Sequence, residues 1–170
     1  ELVAYTLEEP PFFRSEMMGS AIHAARLKEQ GITVRAMLCL EMIGYFSDAP
    51  DSQRFPNPIL KLLYPSRGNF ITIVGNFGQI GLVRKVKRAM RSSALLPVHS
   101  INAPGWLPGI DFSDHLNYWK YDYPAVMITD TSFYRNGNYH TTQDTIEKLD
   151  YNRMALTVQA VFDAILDLSR

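Results

Sequence analysis

An α/β fold, built on a mainly parallel twisted sheet with helices on both faces, is what this sequence predicts. Three observations carry that expectation. Short apolar runs at residues 2–7, 33–40, 70–74, 95–99 and 125–129 alternate with longer stretches of helical periodicity, and such alternation builds βα units around parallel strands. The first run, residues 2–7, is continuous rather than alternately polar and apolar, as in a strand covered on both faces. Acids and loop-forming residues follow the runs at their carboxyl ends, where open α/β sheets place their binding crevices.

The elements follow in order. Leu2-Val3-Ala4-Tyr5-Thr6-Leu7 mixes β-branched, aromatic and aliphatic side chains and reads as a first strand, ending at the acidic pair Glu8-Glu9 before the turn-forming Pro10-Pro11. Ser15 is a candidate cap for a helix to about Gln30; Met18, Ile22, Ala25 and Leu27 are among its apolar positions and Gly31 is its stop. A second strand over residues 33–40 ends at Glu41. The texture then changes. Between about 46 and 69, Pro50, Pro56, Pro58 and Pro65 are interspersed with Asp48, Asp51, Ser52 and Asn57, which predicts an excursion with little regular structure beyond a helical turn at 59–64. Excursions of this length serve either as functional walls and lids or as simple decoration.

Residues 70–74 read as a third strand closed by Gly75-Asn76, with a helix from Gln79 to Met90 behind it. A short fourth strand spans 95–99, and 103–109 is loop. Asp111 or Ser113 caps a short helix through Trp119, and Pro124 opens a fifth strand at 125–129. The stretch 130–149, rich in Asn, Gly, Thr and Tyr, reads as loop. The last helix starts at Asp150 or Asn152 and runs to the end, with Val158, Val161, Phe162, Ile165 and Leu168 on one face for packing against the sheet.

The 170 residues make one domain's worth of chain, with 46% hydrophobic and 20% charged side chains, and a core of that size needs no disulfides. The charges balance at 17 basic and 17 acidic residues, which together with the absence of any finger, RRM or helix-turn-helix pattern argues against nucleic acid as a partner. Arg84, Lys85, Lys87, Arg88 and Arg91 cluster, but on a helical stretch this reads as the wet face. No apolar run approaches transmembrane length. The single cysteine, Cys39, lies inside an apolar run and reads as a buried small hydrophobe. The strand pattern begins almost at Glu1, so targeting information is not readable.

The chemistry concentrates at strand ends. Glu8, Glu9 and Glu41 close the first two runs and His140 lies in the loop after the fifth, all on the carboxyl side of the predicted sheet. Carboxylates gathered in one mouth repel unless a proton or cation compensates. Carboxylate and imidazole together suit zinc, with Mn²⁺ or Co²⁺ as possible substitutes. The spacing matches no short metal motif such as His-Glu-x-x-His, and taken alone it fits solvated strand-end acids as well.

Several motifs occur in order: Leu7-Glu8-Glu9 with Met18-Gly19-Ser20, Leu40-Glu41-Met42-Ile43-Gly44-Tyr45, Ser113-Asp114-His115, Pro124-Ala125-Val126, and Tyr139-His140-Thr141-Thr142-Gln143-Asp144-Thr145. Together, over nearly the whole chain, they resemble the zinc aminopeptidases of family M28, whose relatives include carboxypeptidase-like members and glutaminyl cyclases. The resemblance implies a zinc-exopeptidase-like fold in which Glu8 is the general acid/base. It implies Glu9 and His140 as ligands of one metal and Glu41 as the carboxylate ligand of a second. Glu41 departs from the commonest form of the family, which has aspartate there. Asp114, His115, Asp144 and Tyr139 become candidates for supporting the ligands or lining the pocket.

The resemblance also implies a histidine and a metal-bridging aspartate on segments that would precede Glu1, along with the first strands of the sheet. The expectation is therefore a single partial catalytic domain over residues 1–170, its C-terminal part, lacking the N-terminal strands and inactive alone, with poor or absent zinc. For the whole protein the resemblance implies two zinc ions, peptide substrates and removal of N-terminal amino acids. A glutaminyl cyclase-like acyltransferase and an inactive binding or scaffold domain are the alternatives. Export, periplasmic or secreted, is favoured over the cytoplasm.

Overall fold

The computed structural model describes residues 1–93 and 95–170. Among the described residues four short strands form one sheet: β1 (Met37–Leu40), β2 (Ile71–Gly75), β3 (Val98–Asn102) and β4 (Ala125–Thr129), in the order β1-β4-β2-β3. β1 runs parallel to β4 and β2 parallel to β3, while β2 and β4 are antiparallel with Ile73 opposite Ile128. The sheet is thus mostly parallel with one reversal at its centre. Apolar runs report burial and not direction, which is why the reversal is invisible to pattern.

β2 and β4 are buried along their whole length, Thr72 and Thr129 included, as in strands covered on both faces. Their side chains alternate between two layers. Ile71, Ile73, Val126 and Ile128 enter the larger core with Val83, Val86 and Met90 of helix α3 (Ile80–Ser93) and Val161 and Ala164 of helix α5 (Tyr151–Ser169). On the opposite side, Val74 and Met127 pack with Cys39 and Ile110, while Ala125 packs with Ala24 of helix α1 (Gly19–Glu29) and Tyr118 of helix α4 (His115–Trp119). Helices therefore cover both faces.

The excursion at 46–69 holds one short helix, α2 (Leu60–Leu63), and no strand. Arg153 of α5 pairs with Asp48 at 2.6 Å and tethers its beginning. The helix from Gln79 starts one residue later, at Ile80, and the fourth strand three residues later, at Val98.

Several expectations require correction. Residues 2–7 form no strand: Leu2 is 96% exposed and no ladder joins this run to β1, which ends the sheet. A strand exists only by pairing, and composition specifies propensity without specifying a partner. Instead the run is tied to α1, where Gly19 N donates to Thr6 O at 2.9 Å. Ser15 does not cap α1, which starts at Gly19 behind Met18 with no side-chain cap. Of the predicted face of α5, Val161 is buried and Leu168 packs against the core, whereas Val158, Phe162 and Ile165 are about half exposed; Thr157, Ala160 and Ala164 are buried beside Val161. Small residues let α5 approach α3 closely, so the packed stripe is rotated from the one that hydrophobicity alone selects.

Candidate active site

The four candidate residues come from three separate segments. Glu8 and Glu9 follow the extended N-terminal run, Glu41 directly follows β1, and His140 stands in the loop beyond β4. Across the mouth so formed, His140 Nε2 and Glu9 Oε2 lie 3.2 Å apart. Glu41 and Glu8 sit deeper. The Glu8 carboxyl is pushed up to about 7 by burial first, then by the charges of Glu41, Glu9 and Asp114. Glu41 is also raised, chiefly by burial and then by Glu9 and Asp114, while the Ser113 hydroxyl and the His140 ring pull it back. Negative charge here is in excess of its local compensation.

Backbone geometry aims these groups. Leu7, Met42 and His140 all adopt left-handed conformations, with φ of 60°, 47° and 58°, each costing about 1–2 kcal/mol for a residue with a Cβ. The turn after Glu41 is held by Asp130, which is 1% exposed. Its backbone N–H donates to Met42 O at 2.7 Å, and its carboxylate accepts from Tyr45 N at 2.7 Å and Ser132 N at 2.9 Å. Burial nonetheless pushes Asp130 up to about 6.

Ser113 Oγ donates to Glu41 Oε2 at 2.7 Å and lies 3.1 Å from Cys39 Sγ. Because the serine proton is committed to the carboxylate, the Cys39 thiol is the donor to Ser113. Burial pushes that thiol up to about 12, which keeps its proton in place. The expected burial of Cys39 is observed, and its use as a hydrogen-bond donor is additional.

The supporting candidates divide. Asp114 precedes α4 but makes no side-chain cap; burial raises its carboxyl, and its charge acts on both Glu8 and Glu41. His115 is completely buried, with Nε2 donating to Ile110 O at 2.8 Å and its ring edge-on to Trp119, so it braces the wall and does not line the mouth. Asp144 accepts from Asn136 Nδ2 at 2.8 Å and closes the loop around His140. Tyr139 stacks on the His140 ring at 3.9 Å and faces an apolar cavity.

That cavity opens beside Glu41, with a volume of about 100 Å³, between Phe55, Leu60, Tyr64, Phe70, Ile110 and Phe133. Its walls come from β2, the loop before α4, the loop after β4 and the proline-rich excursion. Among the aromatic wall candidates in the sequence, Phe133, Tyr134 and Tyr139 line it, whereas Tyr45 does not and Trp106 is 81% exposed. Sequence reasoning missed Ser113 as a partner of Glu41, Asp130 as the organiser of the turn, and Arg135. Ser113 was readable only as a helix cap, and nothing local marks the other two.

Two donors of a tetrahedral zinc at about 2.0–2.2 Å from the metal stand roughly 3.3 Å apart. The Glu9–His140 separation of 3.2 Å matches two corners of such a site, and the excess negative charge around Glu8 and Glu41 suits a cation. No group of three His, Cys, Asp or Glu converges on one point among the described residues. The pair therefore fits part of a donor set.

A sequence model of peptidase family M28 matches residues 1–165. The chain belongs to this family. It is 56% identical over 161 residues to the uncharacterized protein YfbL of Escherichia coli K12, covering 95% of this chain and 49% of YfbL. Leucine aminopeptidase 1 of Ajellomyces dermatitidis is 24% identical over 139 residues, 81% of this chain and 31% of that protein. Among solved structures, the LapA aminopeptidase of Legionella pneumophila superposes with a TM-score of 0.64 at 21% identity, over 88% of this chain and 35% of LapA. BSAP, a zinc aminopeptidase from Bacillus subtilis, superposes with a TM-score of 0.58 at 17% identity, over 88% of this chain and 32% of BSAP. The likeness to solved structures extends to the fold. The chain spans about half the length of YfbL and about a third of the leucine aminopeptidase.

Proposed function

We propose that this chain carries the proton-transfer group, part of the zinc donor set and the side-chain pocket of an aminopeptidase that removes N-terminal residues from peptides. The approach of Glu9 and His140 to 3.2 Å, from segments far apart in the sequence, is the observation that carries the reading. Glu9 and His140 would hold one zinc ion and Glu41 would contribute to a second. Zinc, when bound, supplies Lewis acidity to the attacking water and the scissile carbonyl.

Glu8 stands beside these residues and is not itself assigned as a ligand. Its carboxylate takes the proton from the attacking water as the new C–O bond forms, then delivers that proton to the amine nitrogen as the peptide C–N bond breaks. Ser113 fixes one Glu41 oxygen and Asp130 fixes the turn behind it, which orients that carboxylate before substrate arrives. The cavity next to Glu41 receives the side chain of the residue being released, and its aromatic and aliphatic walls favour a large apolar group.

Mass spectrometry of a leucine-initiated peptide, incubated with the whole protein and zinc, tests the reading. Stepwise release of free leucine is expected from the unblocked peptide, and none from its N-acetylated form. Equal cleavage of both forms, or of neither, would contradict it. A glutamine-initiated peptide that loses ammonia and keeps its length would indicate cyclisation instead.

A further inference from the structure

Arg135 is 5% exposed, and no carboxylate lies within ion-pair distance of it among the described residues. Its guanidinium is instead bound by neutral oxygens. Nε and Nη2 both donate to Gln53 Oε1, at 3.1 and 2.9 Å, while Nη1 donates to Tyr45 O and Phe70 O at 3.1 and 3.0 Å. The group lies 4.8 Å from the centre of the Phe70 ring. A buried charge needs every donor satisfied, and here the satisfying atoms come from three places: the turn after β1, the excursion, and the edge of β2.

The excursion has α2 as its one regular element, and besides the Asp48–Arg153 pair at its beginning and the Tyr64 hydroxyl bonded to Ser100 O, its middle is held by bonds to the loop after β4. Gln53 also donates through Nε2 to Thr131 Oγ1 at 2.9 Å, and Arg54 N donates to Tyr134 O at 2.8 Å. Both bonds run to the short loop that carries Arg135. Gly68, where the excursion rejoins the sheet, lies against the arginine stem: a Cβ there would stand 2.6 Å from Nε. The same excursion supplies Gln53, Phe55, Pro56, Leu60 and Tyr64 to the cavity beside Glu41. Arg135 touches none of the four candidate site residues, yet it connects this wall to the loop that continues to His140.

We propose that Arg135 is a specificity-positioning residue, whose fork to Gln53, Tyr45 and Phe70 holds the proline-rich excursion as a fixed wall so that the cavity selects large apolar N-terminal side chains. This rests on the aminopeptidase reading for its substrate and on the contacts alone for the bracing. Lysine cannot reproduce the fork, because its single ammonium cannot span Gln53 and both backbone carbonyls at once.

The test uses the whole protein with Arg135→Lys, which leaves the cavity lining unchanged, and, separately, Gln53→Ala, which removes the shared acceptor together with the Gln53–Thr131 bond and leaves the arginine its two carbonyls. Kinetics on leucyl and alanyl p-nitroanilides are read beside hydrogen exchange of residues 50–65. In both variants the leucyl-to-alanyl ratio of kcat/KM should fall by about tenfold, since a pocket that has lost its fit gives up discrimination of that order. The fall should be carried by KM for the leucyl substrate. Exchange should accelerate within 50–65, while β2 and β4 keep their protection. An unchanged ratio in Gln53→Ala overturns the specificity role even if exchange accelerates, and unchanged exchange overturns the bracing. Loss of protection in β2 and β4 in Arg135→Lys leaves the decision to Gln53→Ala. If the unsubstituted protein hydrolyses neither substrate, the aminopeptidase reading fails, and the exchange measurement still decides whether Arg135 holds the wall.

Discussion

Ser113 shows how much one hydroxyl does in this site. It spends its proton on Glu41 and accepts in turn from the Cys39 thiol, so a buried three-member chain fixes the carboxylate. Removing an outer-shell partner typically weakens metal binding about 10–100-fold. Ser113→Ala should therefore lower zinc affinity of the whole protein by at least about tenfold in a chelator competition assay; an unchanged affinity would show that Glu41 needs no such support. The acids themselves were legible as residues outside the core, because paired carboxylates before Pro10-Pro11 make poor core, although of the two strands expected to end in them only β1, before Glu41, forms. Their neighbours were not. A serine before a short helix has the same local pattern whether it caps that helix or reaches across to Glu41, and only the three-dimensional contact distinguishes the two.

Among the elements, α5 was read from its sequence and then found turned about its axis. Its start is conventional: Asp150 Oδ1 accepts from Arg153 N at 2.9 Å, and the Asp150 amide donates to Gly44 O at 2.8 Å, joining the helix to the turn beyond Glu41. Asp150→Ala should cost about 1 kcal/mol, the usual worth of such a cap, seen as a lower urea midpoint with an unchanged slope; no shift would mean that the backbone bond alone suffices. The strand at 125–129 matched because a proline and five buried residues leave no alternative. Residues 2–7 read equally well as a strand, yet that reading failed because pairing is a property of two segments. The excursion at 46–69 was legible as irregular from its prolines, but its role as a cavity wall depends on Arg135, a residue with no local mark.

For the molecule as a whole, acid stability is tied to His115. Complete burial pushes this imidazole down to about 4, from an ordinary value near 6.5. The unfolded chain takes up a proton below about pH 6.5 while the folded chain refuses it until about pH 4. His115 thus leaves stability whole above pH 6.5 and removes about 3 kcal/mol as the pH falls to 4. Glu8 and Asp130, whose carboxyls are raised to about 7 and about 6, act in the opposite direction over part of that range, so the effect appears as a difference between proteins. His115→Gln keeps a donor for Ile110 O and does not titrate. The stability of the unsubstituted protein relative to this variant should fall between pH 6.5 and 4 in urea titrations, and a constant difference would show that His115 is protonated in the fold.

At this scale too, the family, the α/β class and the clustering of acids on one side of the sheet were readable from ordered motifs and apolar runs, whereas the reversal between β2 and β4 was not. No helix among the described residues is long and apolar enough to cross a membrane.

Turnover and zinc content of Glu8→Gln in the whole protein, measured side by side on an unblocked leucyl substrate, put the proposed division of labour to its most direct test. With Glu9, Glu41 and His140 untouched, zinc should stay at the unsubstituted level while kcat falls by at least about 100-fold, the usual contribution of a positioned acid/base. Near-normal turnover with zinc bound would contradict the account.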